Sequence, residues 1–174
     1  MRLKTVIMDG ATFDRTLIRM AHEIIEKNNG LQDVVLLGIY TRGVYIAKRL
    51  SEIMAIIDGK PVKVFTFTPK TDDMLNSENL PLSSTDIEGK KVVIVDDVLH
   101  TCKTVNHTIR QLDSYGCENF VVQLAVIVDR GHKKYPIYAD FLGKELPSSS
   151  TEIISVNIKN YDKTSSVLIY DIKG

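Results

Sequence analysis

Two adjacent carboxylates, Asp96 and Asp97, directly follow the β-branched apolar run 92–95. The polar loop after them passes into a helical pattern that begins near Thr104. Carboxylates accept hydrogen bonds from hydroxyl groups, and loop amides at the start of a helix bind phosphate. Two charges at the end of a buried strand are costly unless they are solvated, paired or bound to a ligand. This spacing therefore favours a site for a ribose 5-phosphate, with a pair of solvated capping residues as the alternative.

Two other segments carry charge where an apolar run ends. The segment 38–43 has glycine at both ends, which permits close approach of the backbone and positive φ, and Arg42 could clamp a pyrophosphate. An ordinary glycine turn with a surface arginine is the alternative. Asp129 and Arg130 follow the apolar run 120–128, and they could either shape a pocket for a base or form an internal ion pair. Because such turns of a parallel sheet point to one edge, all three segments are candidates for one site.

The pattern of apolar residues predicts the elements that position these turns. An apolar stripe near 3.6 spacing from Asp14 to Ile25 predicts the first helix, which ends at 28–30. Helices are also expected at 44–57 and 104–115, and strands at 34–39, 62–68, 92–95, 120–128, 138–142, 153–158 and 167–170. This alternation predicts an α/β protein with a mainly parallel central sheet flanked by helices on both faces. The long polar stretch 69–90 is typical of a functional or disordered loop.

Composition excludes several classes of protein. A length of 174 residues predicts one domain, and a formal net charge of zero argues against a strongly basic nucleic-acid footprint over the whole chain. A local basic patch stays possible, because Arg19, His22 and Lys27 share one helix face whose default is a solvated surface. Two cysteines cannot make a disulfide framework. No signal peptide or run of 18 apolar residues is present, so a cytoplasmic protein without a membrane partner is expected.

Several blocks of the sequence resemble one known family. Segment 92–104 resembles the phosphoribosyl pyrophosphate (PRPP) motif of type I phosphoribosyltransferases. The blocks 19–26, 38–47, 123–132 and 137–144 resemble, in the same order, the pyrimidine operon regulators that double as uracil phosphoribosyltransferases. The resemblance implies the type I phosphoribosyltransferase fold over a single domain, 1–174, with a small C-terminal hood and a flexible lid loop at about 69–88.

The resemblance also implies a role for individual residues. It assigns the binding of PRPP or a nucleotide to Thr41, Arg42, Asp96, Asp97, Val98, Leu99, His100, Thr101, Cys102, Lys103 and Thr104. Asp96, Asp97 and Arg42 would be catalytic: the carboxylates would hold the ribose hydroxyls, with Mg²⁺ between them and PRPP, and Arg42 would grip the leaving pyrophosphate. Val128, Asp129 and Arg130 would form the base pocket. The implied reaction converts uracil and PRPP to UMP and pyrophosphate, mostly by positioning and charge stabilisation.

The implied partners are PRPP, uracil, UMP or UTP, and a pyrimidine-operon leader RNA, together with further copies of the chain in a homodimer or higher homo-oligomer. Contacts to RNA would come from Arg19, His22, Lys27, Lys133 and Lys144.

The chain departs from the family near this chemistry. Cys102 stands where the family has glycine, so a Cβ is added beside the phosphate, positive φ is disfavoured, and a thiol at a helix start could have a lowered pKa. A tolerated small substitution is the alternative. The stretch 69–73 lacks the arginine of the family's lid, and Lys70 could replace only its charge. Weak catalysis is therefore expected. The alternative functions are an inactive nucleotide-sensing RNA attenuator and a paralogue acting on another base.

Overall fold

A computed structural model describes residues 1–68 and 82–172 of the chain. The strands are β1 (Arg2–Met8), β2 (Val34–Ile39), β3 (Lys63–Phe67), β4 (Lys91–Leu99), β5 (Val121–Asp129), β6 (Phe141–Glu145), β7 (Glu152–Asn157) and β8 (Ser166–Asp171). The helices are α1 (Gly10–Asn28), α2 (Arg42–Asp58), α3 (Ser84–Ile87) and α4 (Lys103–Asp113). None of the described helices is long and apolar enough to cross a membrane.

Five strands form a parallel sheet in the order β3-β2-β4-β5-β6. The chain moves outward from β2 to β3 in one direction and from β4 through β5 to β6 in the other. The strand order therefore reverses between β2 and β4, which is where open α/β sheets bind ligands. The predicted mainly parallel sheet is confirmed.

The central strands are buried on both faces, as expected for a parallel sheet covered by helices. Along β4, Val93 and Val95 face a core shared with α1 and α2, whereas Val92 and Ile94 face a second core that includes residues of α4. All four side chains are inaccessible to solvent. This double packing anchors the strand whose last residues carry the adjacent carboxylates.

A separate antiparallel sheet, β1-β8-β7, forms the hood. Its β1 strand is an element that the sequence pattern did not indicate, because most of its side chains are exposed and it pairs with β8 at the other end of the chain. The C-terminal hood is present as predicted, but the N-terminus contributes an edge strand to it.

Several element boundaries differ from the sequence prediction. Strand β4 continues to Leu99, so Asp96 and Asp97 lie within the strand instead of after it. Strand β6 covers 141–145 instead of 138–142, and the short helix α3 interrupts the polar stretch 69–90. Most of the expected lid, residues 69–81 with Lys70, lies outside the described residues.

Candidate active site

Three chain segments meet where the strand order reverses. The segment 40–43 follows β2, the segment 100–102 follows β4, and the segment 130–132 follows β5, and these three strands are neighbours in the sheet. A Cβ built on Gly43 would lie 3.2 Å from the Cα of Asp96 and still closer to the carbonyl oxygen of Val95. The absence of a side chain at Gly43 thus lets the first segment touch the backbone of β4. The predicted close approach is confirmed, but neither Gly38 nor Gly43 has a positive φ.

Asp96 and Asp97 are both half-buried at the end of β4. Oδ1 of Asp96 accepts the N–H of Asp97 at 2.9 Å, and Oδ1 of Asp97 accepts the N–H of Val98 at 2.8 Å. Burial, followed by the negative charge of Asp97, raises the pKa of Asp96 well above its ordinary value. The remaining carboxylate oxygens offer acceptors to hydroxyl groups, and the local excess of negative charge favours a cation beside them.

The loop of residues 100–104, called the phosphate loop below, leads into α4. The side chain at the N-cap of α4, Cys102, does not cap the helix. The N–H of Lys103 donates to Oγ1 of Thr101 at 3.4 Å. Since the first N–H groups of a helix lack partners within it, this end of α4 can bind an anion. The neighbouring segment braces the loop, because the N–H of Arg130 donates to the carbonyl of Leu99 at 3.0 Å and the N–H of Lys134 donates to that of Thr101 at 3.1 Å.

The remaining side chains assigned to nucleotide binding occupy different environments. Leu99 is buried and Val98 is half-buried against the core, so these two residues position the loop by packing. Thr101 and Thr104 are half-buried, and His100 and Lys103 are exposed.

Cys102 fits the phosphate loop better than the sequence suggested. The residue adopts the left-handed conformation with φ 63° and ψ 8°, so the cysteine does not exclude the positive φ, although this conformation is disfavoured for residues other than glycine. Its side chain is only 3% exposed, and Sγ lies 4.0 Å from the carbonyl oxygens of His100 and Ile137. Burial raises the pKa of the thiol, so the expectation of a lowered pKa is wrong. The thiol therefore packs into the second core as a neutral group.

Arg42 is the first residue of α2, and the N-cap Thr41 makes no side-chain capping bond. The peptide bond between Tyr40 and Thr41 is cis. Nε and Nη2 of Arg42 both donate to the carboxylate of Asp162 at 3.4 Å, and the guanidinium carbon lies 5.3 Å from the centre of the Tyr161 ring. Arg42 is thus at the edge where it was expected, but it contacts two hood residues that the sequence did not connect with it.

The residues predicted for a base pocket are placed unequally. The side chain of Val128 is fully buried in the core. Asp129 forms its ion pair with Lys133, at 2.7 Å, and not with Arg130. Arg130 donates to Oγ of Ser148 at 2.9 Å and to the carbonyls of residues 149 and 152 at 3.3 and 3.1 Å. Asp129 and Arg130 therefore stand at the edge of the site, and Arg130 links it to the hood.

Two of the side chains predicted to contact RNA, on α1, already have partners within the chain. Arg19 pairs with Glu23 at 2.6 Å and donates to the carbonyls of residues 142 and 143 at 2.9 and 2.8 Å. The ammonium of Lys27 lies 2.5 Å from the carboxylate of Asp140. Each partner removes part of the free charge, although both cationic side chains remain about half exposed.

The other predicted RNA contacts are His22, Lys133 and Lys144. His22 and Lys144 are exposed. Lys133 is half-buried between Asp129 and the ring of Tyr138, whose centre lies 4.1 Å from its ammonium group. Lys144 is brought beside Arg19, because the carbonyl of its neighbour Gly143 accepts from that arginine.

Among the described residues, Asp96 and Asp97 would supply only part of the ligand shell of a metal ion at this site. Within residues 1–68 and 82–172, no group of three or more His, Cys, Asp or Glu side chains is arranged to hold a metal. Mg²⁺ typically takes one or two protein carboxylates and completes its shell with water and substrate phosphates. The adjacent carboxylates of Asp96 and Asp97, and the raised pKa of Asp96, fit such a shared cation.

Comparison with known proteins identifies the family. The chain matches the family described as Phosphoribosyl transferase domain over residues 7–159. The Bifunctional protein PyrR of Clostridium perfringens is 47% identical over 98% of this chain and 99% of its own length. The chain belongs to the PyrR family. The Bifunctional protein PyrR of Clostridium acetobutylicum is 43% identical over 99% of this chain and all of its own. Membership in the PyrR family confirms the resemblance and the predicted enzyme class, a phosphoribosyltransferase.

Solved structures agree on the fold. The hypoxanthine phosphoribosyltransferase of Trypanosoma cruzi has a TM-score of 0.76 at 16% identity and covers 97% of both chains. That of Staphylococcus aureus has a TM-score of 0.74 at 16% identity and covers 95% of this chain and 92% of its own. At this level of identity the likeness concerns the architecture, and it confirms the predicted type I phosphoribosyltransferase fold.

The hood side chains around the site escaped the sequence reasoning. Tyr161, Asp162 and Ser148 lie in polar segments near the C-terminus, where nothing in the local pattern distinguishes them from surface residues. Only the packing of the hood brings them to Arg42 and Arg130.

Proposed function

We propose that this member of the PyrR family transfers the phosphoribosyl group of PRPP to uracil and releases UMP and pyrophosphate. The observation that carries the proposal is the convergence of a carboxylate pair, the start of α4 and Arg42 at the point where the strand order reverses. These groups match the three parts of PRPP, which are a ribose diol, a 5-phosphate and a pyrophosphate.

Each part of the site would have one task. Asp96 and Asp97 would bind the ribose hydroxyls. They would also help to hold Mg²⁺, which would offset the negative charge of PRPP. The phosphate loop would hold the 5-phosphate through backbone N–H groups and the hydroxyls of Thr101 and Thr104. Arg42 would stabilise the charge that develops on the departing pyrophosphate. Such catalysis consists of positioning and charge stabilisation, and no protein nucleophile is required.

Asp129 and Arg130 support a base pocket beside this site. They follow the strand next to β4 in the sheet, and the N–H of Arg130 donates to the carbonyl of Leu99. The preference for uracil comes from the PyrR family resemblance. The left-handed conformation of Cys102 supports turnover, because the phosphate loop accommodates this residue with its side chain in the core.

A turnover assay tests the proposal. The purified chain, with PRPP, uracil and Mg²⁺, is expected to form UMP, and EDTA is expected to suppress the reaction. Hypoxanthine and the other bases serve as substrate controls, so a paralogue acting on another base would be recognised. No nucleotide product from any base at millimolar substrate would contradict the proposal.

We also propose that the chain binds pyrimidine-operon leader RNA and responds to UMP or UTP in the same nucleotide site. The specific observation is the exposed cationic surface formed by Arg19, His22 and Lys144 on α1 and β6. Because phosphate contacts release counterions, the affinity for RNA should fall steeply as the salt concentration rises.

Arg19→Ala and His22→Ala are expected to weaken binding to the RNA. Arg49→Ala is the matched control, since Arg49 is equally exposed and also paired, with Glu52 on α2. Equal losses in all three variants would contradict the proposal.

We further propose that the chain forms a homodimer or a higher homo-oligomer. Ile56, near the end of α2, is 83% exposed, and its neighbour Ile57 is 37% exposed. Adjacent exposed apolar side chains favour a contact with another protein surface. Light scattering should give a multiple of the 19.6 kDa chain mass, and Ile56→Asp should reduce it. A monomer at all concentrations would contradict this proposal.

A further inference from the structure

A short segment of the hood, residues 158–165 between β7 and β8, reaches across to the start of α2. We call this segment the strap. Its Asp162 accepts hydrogen bonds from both Nε and Nη2 of Arg42 at 3.4 Å, and the guanidinium carbon lies over the ring of Tyr161, 5.3 Å from the ring centre. Tyr161 in turn contacts Tyr45 one turn along α2, with ring centres 5.6 Å apart. The strap therefore contacts Arg42 on two sides.

The carboxylate of Asp162 is itself held in place. Its Oδ2 accepts the backbone N–H of Ile158 at 2.8 Å, and the N–H of Asp162 donates to the carbonyl of Ile158 at 2.5 Å. These bonds close a tight turn within the strap. Consequently Arg42 meets a carboxylate whose position is set by the hood backbone.

The contact leaves part of the arginine available. A guanidinium offers two edges for bidentate bonding, one formed by Nε with one terminal nitrogen and one formed by the two terminal nitrogens. Asp162 occupies the first edge, and the ring of Tyr161 lies 5.3 Å from the guanidinium carbon, so the terminal edge remains for another anion. In the described part of the chain, Asp162 is the one carboxylate within ion-pair distance of Arg42.

We propose that Asp162 is a positioning residue: it fixes the Arg42 guanidinium so that its terminal edge binds the pyrophosphate group of PRPP. This inference rests on the proposed function, in which Arg42 grips pyrophosphate. Asp162 acts through Arg42 and does not touch the substrate. A preset orientation lowers the entropic cost of forming two parallel hydrogen bonds to a phosphate group.

Calorimetry on the purified full chain tests the inference with three probes: PRPP, pyrophosphate and UMP, each with Mg²⁺. Asp162→Ala is expected to weaken binding of PRPP and pyrophosphate about tenfold, because a misplaced arginine loses its bidentate contact. The affinity for UMP, which lacks pyrophosphate, should stay within about twofold of the original. Asp162→Asn should recover part of the loss, since its amide oxygen can still accept from Ile158 and Arg42. In turnover, KM for PRPP should rise more than kcat falls.

A double-variant cycle separates positioning from a general structural effect. If Asp162 acts through Arg42, Asp162→Ala should cause no further loss of pyrophosphate affinity in the Arg42→Ala background. Lys163→Ala is the matched control on the strap, because Lys163 lines a cavity beside α1 and α2, whereas the hydrogen bonds and the ion pair of Arg42 go to Asp162. Thermal unfolding of each variant reports whether the strap change alters the fold.

Several outcomes would overturn the inference. Unchanged pyrophosphate affinity in Asp162→Ala would show that the ion pair is dispensable, and tighter binding would make Asp162 a competitor of the substrate. Equal losses for UMP and pyrophosphate would indicate a structural role. Unchanged PRPP binding by Arg42→Ala would instead overturn the assigned role of Arg42, and with it this inference. A further outcome separates the inference from the proposed function. If the chain turns over normally and Arg42→Ala strongly weakens pyrophosphate binding, but Asp162→Ala leaves it unchanged, the inference is overturned and the proposed function stands.

Discussion

At the scale of single residues, Asp96 places a half-buried carboxyl group beside a second one. Burial and the charge of Asp97 raise its pKa well above the ordinary value, so the folded chain keeps a proton that the unfolded chain releases. Its contribution to folding stability therefore decreases as pH rises from the ordinary carboxyl pKa through the raised one. A charge that is unfavourable for folding is useful for binding a cation and hydroxyl groups.

Asp96→Asn is accordingly expected to raise the melting temperature at pH 7 in EDTA and to weaken PRPP binding roughly tenfold or more. The gain in stability should shrink as pH is lowered. It should vanish below about pH 4, where the carboxyl group of Asp96 is neutral in both the folded and the unfolded chain. Differential scanning calorimetry across pH measures the first effect, and titration with PRPP and Mg²⁺ measures the second. A lower melting temperature for Asp96→Asn at pH 7 would contradict this account.

Cys102 shows that a residue other than glycine can occupy the left-handed position at the start of α4. Because Cys102 adopts the left-handed conformation with its side chain buried, we expect Cys102→Gly to have a small effect. The affinities for PRPP and UMP should change by less than about threefold. The glycine relieves about 1 kcal/mol of backbone strain but loses the packing of the thiol. Cys102→Ala is the control that keeps the Cβ. A gain in PRPP affinity of tenfold or more for Cys102→Gly alone would show that the side chain obstructs the phosphate loop.

At the scale of elements, the site depends on how closely α2 packs against β4. Gly43→Ala would place a methyl group against the carbonyl oxygen of Val95 and the Cα of Asp96. Because both are backbone atoms of β4, neither can rotate away as a side chain could. We expect a loss of about 1–3 kcal/mol in the free energy of unfolding, and weaker PRPP binding because the carboxylates shift.

Urea denaturation and PRPP titration check the Gly43→Ala prediction. Gly10→Ala is the matched control, since a Cβ at Gly10, also in the first turn of a helix, would make only an ordinary contact of 3.4 Å. Equal stability of the two variants would contradict the proposed close packing.

At the scale of the whole molecule, Arg130 joins the parallel sheet to the hood. It extends from the end of β5 and donates to Ser148 and to the carbonyls of residues 149 and 152. A lysine keeps the charge but cannot reproduce this planar set of bonds. Arg130→Lys is therefore expected to lower the free energy of unfolding by about 2 kcal/mol.

Hydrogen exchange should locate the effect of Arg130→Lys in the hood, with faster exchange along β7 than along β4. Arg49→Lys, on an exposed arginine paired with Glu52, is the control and should change stability by less than about 1 kcal/mol. Unchanged exchange in β7 would show that the hood is held mainly by its other contacts.

The sequence by itself determined the parallel sheet and the placement of the carboxylate pair and of the loop 100–104 between β4 and α4. These features are local: burial on both faces produces continuous apolar runs, and a strand followed by a polar loop and a helix lies within about twenty residues. The close approach at Gly43 was predictable for the same reason, since it follows from the residue type in a short turn.

Only the tertiary structure decided which distant groups complete the site. Strand β1 has mostly exposed side chains and finds its partner β8 across the length of the chain, so no local pattern indicated it. Asp162 lies 120 residues from Arg42, and the direction of the Cys102 side chain depends on the core into which α4 packs. Local periodicity reports whether a residue is buried, whereas the partner of a charged group depends on how the folded sheets are placed against each other.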